Sequence, residues 1–308
     1  MSLRASIDIG SNSILLLLAK MSDGFIEVLE NESSITGLGK DLDASGVFAQ
    51  DSMRDSFDAL EKYQQICRKH CFDPAQITAT ATEASRVAKN APEFYAMVKE
   101  KLKIDVKIIT GEAEAHYSAM GILFDKKIND DEITIMDIGG ASTELIRVDT
   151  RLKKILHSFS MPVGAVRMTN WNEQGNRKEK LNLILKDFES DLLQVKTKKL
   201  YCVAGTMTSV GNMYSGNTAF IENEVNGLEF EKTQVNEMLE NYQKFSADDF
   251  LVKFPFLGKR SKTILSGLYL AESVLSGLGV ESVYISTYGL RYGTLLAGEI
   301  KHEFINSI

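Results

Sequence analysis

Three cysteines, Cys67, Cys71 and Cys202, are all that this 308-residue chain contains. A set so sparse, and odd in number, argues against a disulfide framework. Cys67, His70 and Cys71 fall within one expected helical turn, but structural zinc takes four ligands and no second pair lies near them in sequence. Also missing is any apolar run approaching the roughly 18 residues needed to span a bilayer, and the N-terminus lacks a signal-peptide pattern. A cytoplasmic protein with no membrane partner is the expectation. There is no surplus of positive charge: the formal net charge is −7, which speaks against nucleic acid as a partner. Lys99, Lys101, Lys103 and Lys107, then Lys196, Lys198 and Lys199, and finally Lys259, Arg260 and Lys262 form local clusters, and such clusters are mostly solvated faces. No low-complexity linker interrupts the chain, so its halves are expected to join tightly around a cleft.

What the chain has is length for two ordinary domains, with 44% apolar and 25% charged residues, the balance of a soluble globular protein. It also has a repeat. Asp137-Ile138-Gly139-Gly140-Ala141-Ser142-Thr143-Glu144 sits between two short apolar runs, Ile133 to Met136 and Leu145 to Val148, as a turn between paired strands. Ile7-Asp8-Ile9-Gly10-Ser11-Asn12-Ser13-Ile14 repeats the plan, and the two aspartates are 129 positions apart, as expected of two similar domains that each open with the same hairpin. Glycine at 139 and 140 lets the backbone take φ > 0 and close its N–H groups on a bulky anion, while Ser142 and Thr143 add hydroxyl donors. The carboxylates of Asp137 and Glu144 would repel a bare phosphate but suit Mg²⁺ bound beside one. The unit reads as a phosphate-plus-metal loop.

Periodicity places strands at 25–30, 77–81 and 106–109 after the first hairpin, with helices at 51–71, 92–102 and 111–124. The second half repeats this with strands near 132–138, 144–149, 152–159, 200–204 and 283–286. Its helices are expected near 163–171 and 177–195, from 205 onward, in an inserted segment near 231–253, at 261–278 and at 288–304. The order βββαβαβα, twice over, is that of an α/β protein with two ribonuclease-H-like domains, 1–125 and 126–308, the C-terminal helix near 294–308 packing back on the first.

In combination, Ile7 to Ser13, Thr110-Gly111-Glu112-Ala113-Glu114-Ala115, Asp137 to Glu144, Met161-Pro162-Val163-Gly164-Ala165-Val166-Arg167-Met168-Thr169 and Tyr288-Gly289-Leu290-Arg291-Tyr292-Gly293 resemble the exopolyphosphatase/guanosine pentaphosphate phosphohydrolase (Ppx/GppA) family. That family belongs to the superfamily of actin, sugar kinases and heat-shock chaperones. The resemblance runs from about residue 4 to 300. It implies release of the terminal phosphate from inorganic polyphosphate, or of the 5′ γ-phosphate from guanosine pentaphosphate, with Mg²⁺ as cofactor. It also implies a short form without the family's C-terminal HD-like domain, and allows a homodimer. Glu114 matches the family's catalytic glutamate, and a carboxylate there would take a proton from an attacking water. Arg86, in Thr82-Glu83-Ala84-Ser85-Arg86, matches a phosphate-facing arginine, and Arg260 is similar to a second. The phosphoryl group would be gripped by Ser11, Asn12, Ser13, Gly139, Gly140, Ala141, Ser142 and Thr143, and the metal held by Asp137 and Glu144 with Asp8. Three positions depart from the family pattern: His116 stands where arginine is usual, Lys262 where an acid is, and Ala141 where a third glycine is.

Two other functions fit the same fold class: a phosphotransferase of the acetate- or sugar-kinase kind, for which Gly205-Thr206-Met207-Thr208 would line a purine pocket, and a non-enzymatic nucleotide switch of the actin or chaperone kind.

Overall fold

The structure is a computed structural model and describes residues 2–22 and 24–306. The chain divides into two compact units, Met1–Gly121 together with Leu290–Ile308, and Ile122–Gly289.

In the first unit the strands are β1 (Ser2–Ile9), β2 (Ser13–Ser22), β3 (Phe25–Ile35), β4 (Thr78–Ala81) and β5 (Val106–Ile108). They form one sheet in the order β3-β2-β1-β4-β5. The first three are an antiparallel meander, whereas β4 and β5 run parallel to β1. The helix Gln50–Lys69 buries Leu60, Tyr63 and Cys67 at spacings of three and four, the stripe a helix lays on a sheet. The helix Ala91–Leu102 opens with Pro92, whose fixed φ suits a first turn, and buries Phe94, Tyr95, Val98 and Leu102. These stripes close on Ile7, Ile9, Leu16 and Leu18 of the sheet to make the unit's core.

The second unit has β6 (Glu132–Ile138), β7 (Thr143–Asp149), β8 (Lys154–Met161), β9 (Lys199–Val203), β10 (Leu228–Glu231) and β11 (Ser282–Ile285). Their order is β10-β11-β9-β6-β7-β8. From β8 inward this is the arrangement of the first unit, with β10 added antiparallel at the far edge. Helices Ala204–Tyr214 and Ile264–Leu278 pack against Met136, Ile138, Leu200 and Cys202 in its core. Both sheets have the ribonuclease-H-like order, and the α/β fold class follows from them.

Several elements differ from the periodicity. The expected helix at 177–195 is two, Arg177–Asp187 and Glu189–Gln194, broken at Phe188, whose ring stacks on Phe159 of β8 at 5.6 Å. The segment 231–253 holds two helices, Lys232–Tyr242 and Ala247–Lys253, because Ser246 starts a new one through a capping box with Asp249. The helix expected from 261 begins at Ile264, after a 3₁₀ stretch, Pro255–Lys262, that bends at Gly258 with φ +50. The closing helix is Leu290–Ala297, stopped by Gly298 at φ +77, and a separate 3₁₀ turn covers His302–Phe304. Residues 307 and 308 of that expectation lie outside the described residues. The four-residue β10 carried no readable period. Among the described residues no helix is long and apolar enough to cross a membrane.

Candidate active site

In the first unit, parallel pairing brings the C-terminal ends of β1, β4 and β5 to one edge of the sheet. Asp8 lies opposite Thr80, Ile9 opposite Ala81, and Ala81 opposite Ile108. Just past that edge stand the β1–β2 turn, the short helix Glu83–Val87 with Arg86, and the first turn of helix Gly111–Ile122 with Glu114. The side chain of Thr110 caps that helix by accepting from the Ala113 N–H at 3.1 Å. Glu114 is therefore held at the positive end of the helix, where a carboxylate is stabilised.

Arg86 Nη1 donates to the Ile109 carbonyl at 2.8 Å and to Glu114 Oε2 at 3.1 Å. The resemblance implies a phosphate contact for Arg86; the structure shows it bonded to Glu114, the candidate base, with its positive charge beside that carboxylate. Asp8 is half-buried with its Oδ1 shut from solvent, and that atom has no hydrogen-bond partner among the described residues. Burial pushes the Asp8 carboxyl up to about 6, against the pull of the Arg291 guanidinium. His116 packs on Phe304 and Tyr117, with ring centroids at 5.0 and 5.2 Å. Burial, and then Lys301, hold its pKa below the ordinary histidine value, so the ring is neutral at neutral pH and supplies no arginine-like charge.

The turn between β1 and β2 is closed by the Gly10 N–H donating to the Ser13 carbonyl at 3.0 Å. Behind it lies the segment 36–39. The N–H groups of Thr36 and Gly37 donate to the Asn12 carbonyl at 3.1 and 3.0 Å, and that of Gly39 donates to the Ser11 carbonyl at 2.7 Å. A Cβ at Gly39 would lie 2.9 Å from Ser11 Cβ, so the approach requires glycine.

The second unit builds the same turn. The Gly139 N–H donates to the Ser142 carbonyl at 3.0 Å, between Ile138 and Thr143, the last pair of the β6–β7 ladder. The carbonyls of Gly139 and Gly140 accept from the N–H groups of Ala165, Val166 and Arg167, at 2.9, 2.8 and 3.2 Å. Gly164 has no room for a side chain, since its Cβ would fall 2.5 Å from the Gly140 carbonyl carbon. Gly10, Gly139 and Gly140 are all outside the left-handed region, which corrects the expectation that glycine here provides positive φ. Ala141 likewise needs no positive φ, so alanine in place of a third glycine costs the turn nothing.

Asp137 and Glu144 face each other across β6 and β7, 9% and 3% exposed. Ser160 Oγ donates to Glu144 Oε1 at 2.7 Å, and Thr143 Oγ1 donates to the Val163 carbonyl at 2.6 Å, which engages one of the expected phosphate donors with the protein itself. Arg260 is half-buried against the first turn of helix Ala204–Tyr214. Its Nη1 donates to Ser209 Oγ at 3.1 Å, and a Cβ at Gly205 would lie 2.5 Å from Nη2. Burial pulls its pKa down to about 10, still a cation at neutral pH, beside the positive end of a helix. Ala204 holds φ +63, a strained backbone for alanine, where β9 passes into that helix. Cys202 is fully buried in the core, its thiol pushed up by burial and then by Asp137.

Four participants had no role in the sequence reading: Arg291 near Asp8, Ser160 on Glu144, Arg167 on the second turn, and the strained Ala204. Arg291 and Arg167 lie in motifs quoted from the sequence, and that was the available signal. The hydroxyl of Ser160 and the φ of Ala204 left none.

Known proteins bear on this arrangement. The profile of the Ppx/GppA phosphatase family matches residues 17–302. The bifunctional 3-dehydroquinate synthase/phosphatase of Fusobacterium nucleatum is 26% identical over 96% of this chain and 46% of its own length. Exopolyphosphatase 2 of Mycobacterium tuberculosis is 30% identical over 174 residues, 54% of this chain and 53% of that protein. The chain thus spans about half the length of the curated relatives it matches. Among solved structures, the Aquifex aeolicus member of the Ppx/GppA protein family shares 25% identity and a TM-score of 0.76, over 96% of each chain. An exopolyphosphatase from Cytophaga hutchinsonii has the same fold, with a TM-score of 0.86 at 23% identity over 97% of this chain and 99% of that one.

Proposed function

The chain belongs to the Ppx/GppA phosphatase family, and from that premise we propose that it is a phosphohydrolase that releases the terminal phosphate of inorganic polyphosphate, or the 5′ γ-phosphate of guanosine pentaphosphate, by attack of water. The observation that carries this reading is the pair of matching turns, Gly10–Ser13 and Gly139–Ser142, whose carbonyls are tied back to the protein so that backbone amides are left for an anion. Glu114 is the general base: it takes a proton from the attacking water while Arg86 fixes its orientation. Arg260, a cation without an acidic partner among the described residues, is an anion contact.

Mg²⁺ fits the donors present. Asp137 and Glu144, nearly buried and directly opposite each other across β6 and β7, offer a pair of hard carboxylate oxygens of the kind Mg²⁺ takes. No cluster of three such side chains occurs among the described residues, which leaves water and phosphate oxygens to complete a shell, as Mg²⁺ favours. When bound, the ion would neutralise phosphate charge. Such a site works by positioning and charge stabilisation rather than by covalent chemistry.

Phosphate release from long polyphosphate, short polyphosphate and guanosine pentaphosphate, assayed side by side with Mg²⁺ and no added nucleotide, tests the proposal. Release from at least one is expected. If phosphate moves only when a nucleotide and an acceptor are supplied together, the protein is a phosphotransferase instead.

A further inference from the structure

The segment Met161–Thr169 has no part in the proposed chemistry, yet it makes the densest set of bonds to the second turn. A peptide unit is planar and trans, so its carbonyl and the following N–H point in opposite directions. Fixing the carbonyls of Gly139, Gly140 and Ala141 on one side therefore aims the N–H groups of Gly140, Ala141 and Ser142 to the other. Those three N–H groups have no acceptor among the described residues. The first two carbonyls are held by backbone amides at the start of helix Ala165–Glu173. The third is beyond them and is held by a side chain: Arg167 Nη1 donates to the Ala141 carbonyl at 2.7 Å and to the Pro162 carbonyl at 2.8 Å.

We propose that Arg167 is a positioning residue, which by binding the Ala141 carbonyl turns the Ser142 N–H toward the phosphoryl group. It acts from behind the turn, on protein carbonyls, and bridges the turn to the end of β8. The proposal rests on reading this turn as the phosphate-holding loop. Its consequence is that the turn does not need a third glycine, because the peptide at 141 is oriented from outside rather than by its own flexibility.

The test uses the full chain, inorganic phosphate as the probe and Arg167→Met, Arg167→Lys and Arg177→Met as variants. Arg177 lies on Tyr269 at 4.1 Å, away from the turn, and controls for loss of one positive charge. Losing the aim of one amide donor is expected to lower kcat about 100-fold. Arg167→Met should show that fall with a phosphate affinity weakened about 3- to 10-fold and little change in Tm. Arg167→Lys, which keeps charge and donors, should recover to within about 3-fold of wild type, and Arg177→Met should match it. Wild-type kcat and phosphate affinity in Arg167→Met overturn the proposal, as does an Arg167→Lys no better than Arg167→Met. A measurement on the wild type removes dependence on how a variant folds: phosphate should shift the Ser142 and Ala141 amide signals in a ¹⁵N spectrum, and their failure to move overturns it. If those signals shift and Arg167→Met weakens phosphate binding, but no phosphate is released from any of the three substrates, the proposed function falls and the role of Arg167 stands.

Discussion

The two turns have the same backbone and different supports. Gly10 bonds Ser13 as Gly139 bonds Ser142, both at 3.0 Å, and each turn leans on a glycine, Gly39 or Gly164, that touches the same position, Ser11 or Gly140. In the first unit the support is a loop, 36–39, that supplies backbone amides only. In the second it is a helix N-terminus with an arginine added. The carboxylates differ as well: Asp8 faces Leu15, whereas Asp137 faces Glu144. A repeated turn can thus be specialised by what stands behind it, one copy beside the proposed base, Glu114, and the other beside the carboxylate pair proposed to take a cation.

Breaking that division should have the largest effect at Glu114. Glu114→Gln keeps the volume and can orient water but cannot take its proton, so kcat should fall about 10²–10⁴-fold with phosphate binding retained, in single-turnover kinetics and a phosphate titration. Unchanged turnover would remove the base from the first unit. Next comes the carboxylate pair. Asp137→Asn should lower kcat by roughly 10²–10³-fold and raise the Mg²⁺ concentration needed for half-maximal rate, because the ion's contribution is worth several kcal/mol. An unaltered Mg²⁺ titration would dissolve the assigned difference between Asp137 and Asp8.

The supports can be compared through their glycines. Gly164→Ala drives a Cβ to 2.5 Å of backbone that has nowhere to go, whereas Gly39→Ala meets Ser11 Cβ at 2.9 Å and the Ser11 backbone at 3.3 Å, a lesser overlap. Overpacking of this kind costs about 1–3 kcal/mol, and Gly164→Ala belongs at or above the top of that range, Gly39→Ala near the bottom. Equal losses of Tm would mean that loop and helix are equally stiff.

The last effect concerns the charge state of Asp8. Its folded pKa, pushed up to about 6, lies above the unfolded carboxylate value of about 3.9, so the folded state binds the extra proton between them. Stability from this group is full below about pH 4 and is lost as pH rises through 6. In metal-free, phosphate-free buffer Asp8→Asn should therefore be more stable than wild type at pH 7, by about 3 kcal/mol, with most of the gain gone near pH 4. Denaturant titrations at the two pH values measure it; a variant less stable at pH 7 would show Asp8 to be a structural carboxylate.

The succession of strands along the chain, β10 excepted, and the two turns with the residues at their ends were legible because each depends on local pattern. Alternation made Ile7, Ile9, Ile14 and Leu16 a strand pair, and small residues marked the turn between them. The breaks at Phe188 and Ser246 were less so. A helical period continues through both, and only the ring of Phe159 and the cap on Asp249 show where the chain turns.

The sequence by itself picked out the residues proposed to carry the chemistry: two aspartates opening two turns, a glutamate in a first helical turn, a few arginines. Those facts follow from residue type and spacing along one strand or helix. Only the tertiary structure decided what each one does to its neighbour. Arg86 holds Glu114 from 28 positions away, Ser160 holds Glu144 from 16, and Arg167 holds the Ala141 carbonyl from 26. The physical reason is that a hydrogen bond depends on a distance of about 3 Å and a direction, and between elements far apart in sequence these are set by how helices and strands pack, which local periodicity does not encode.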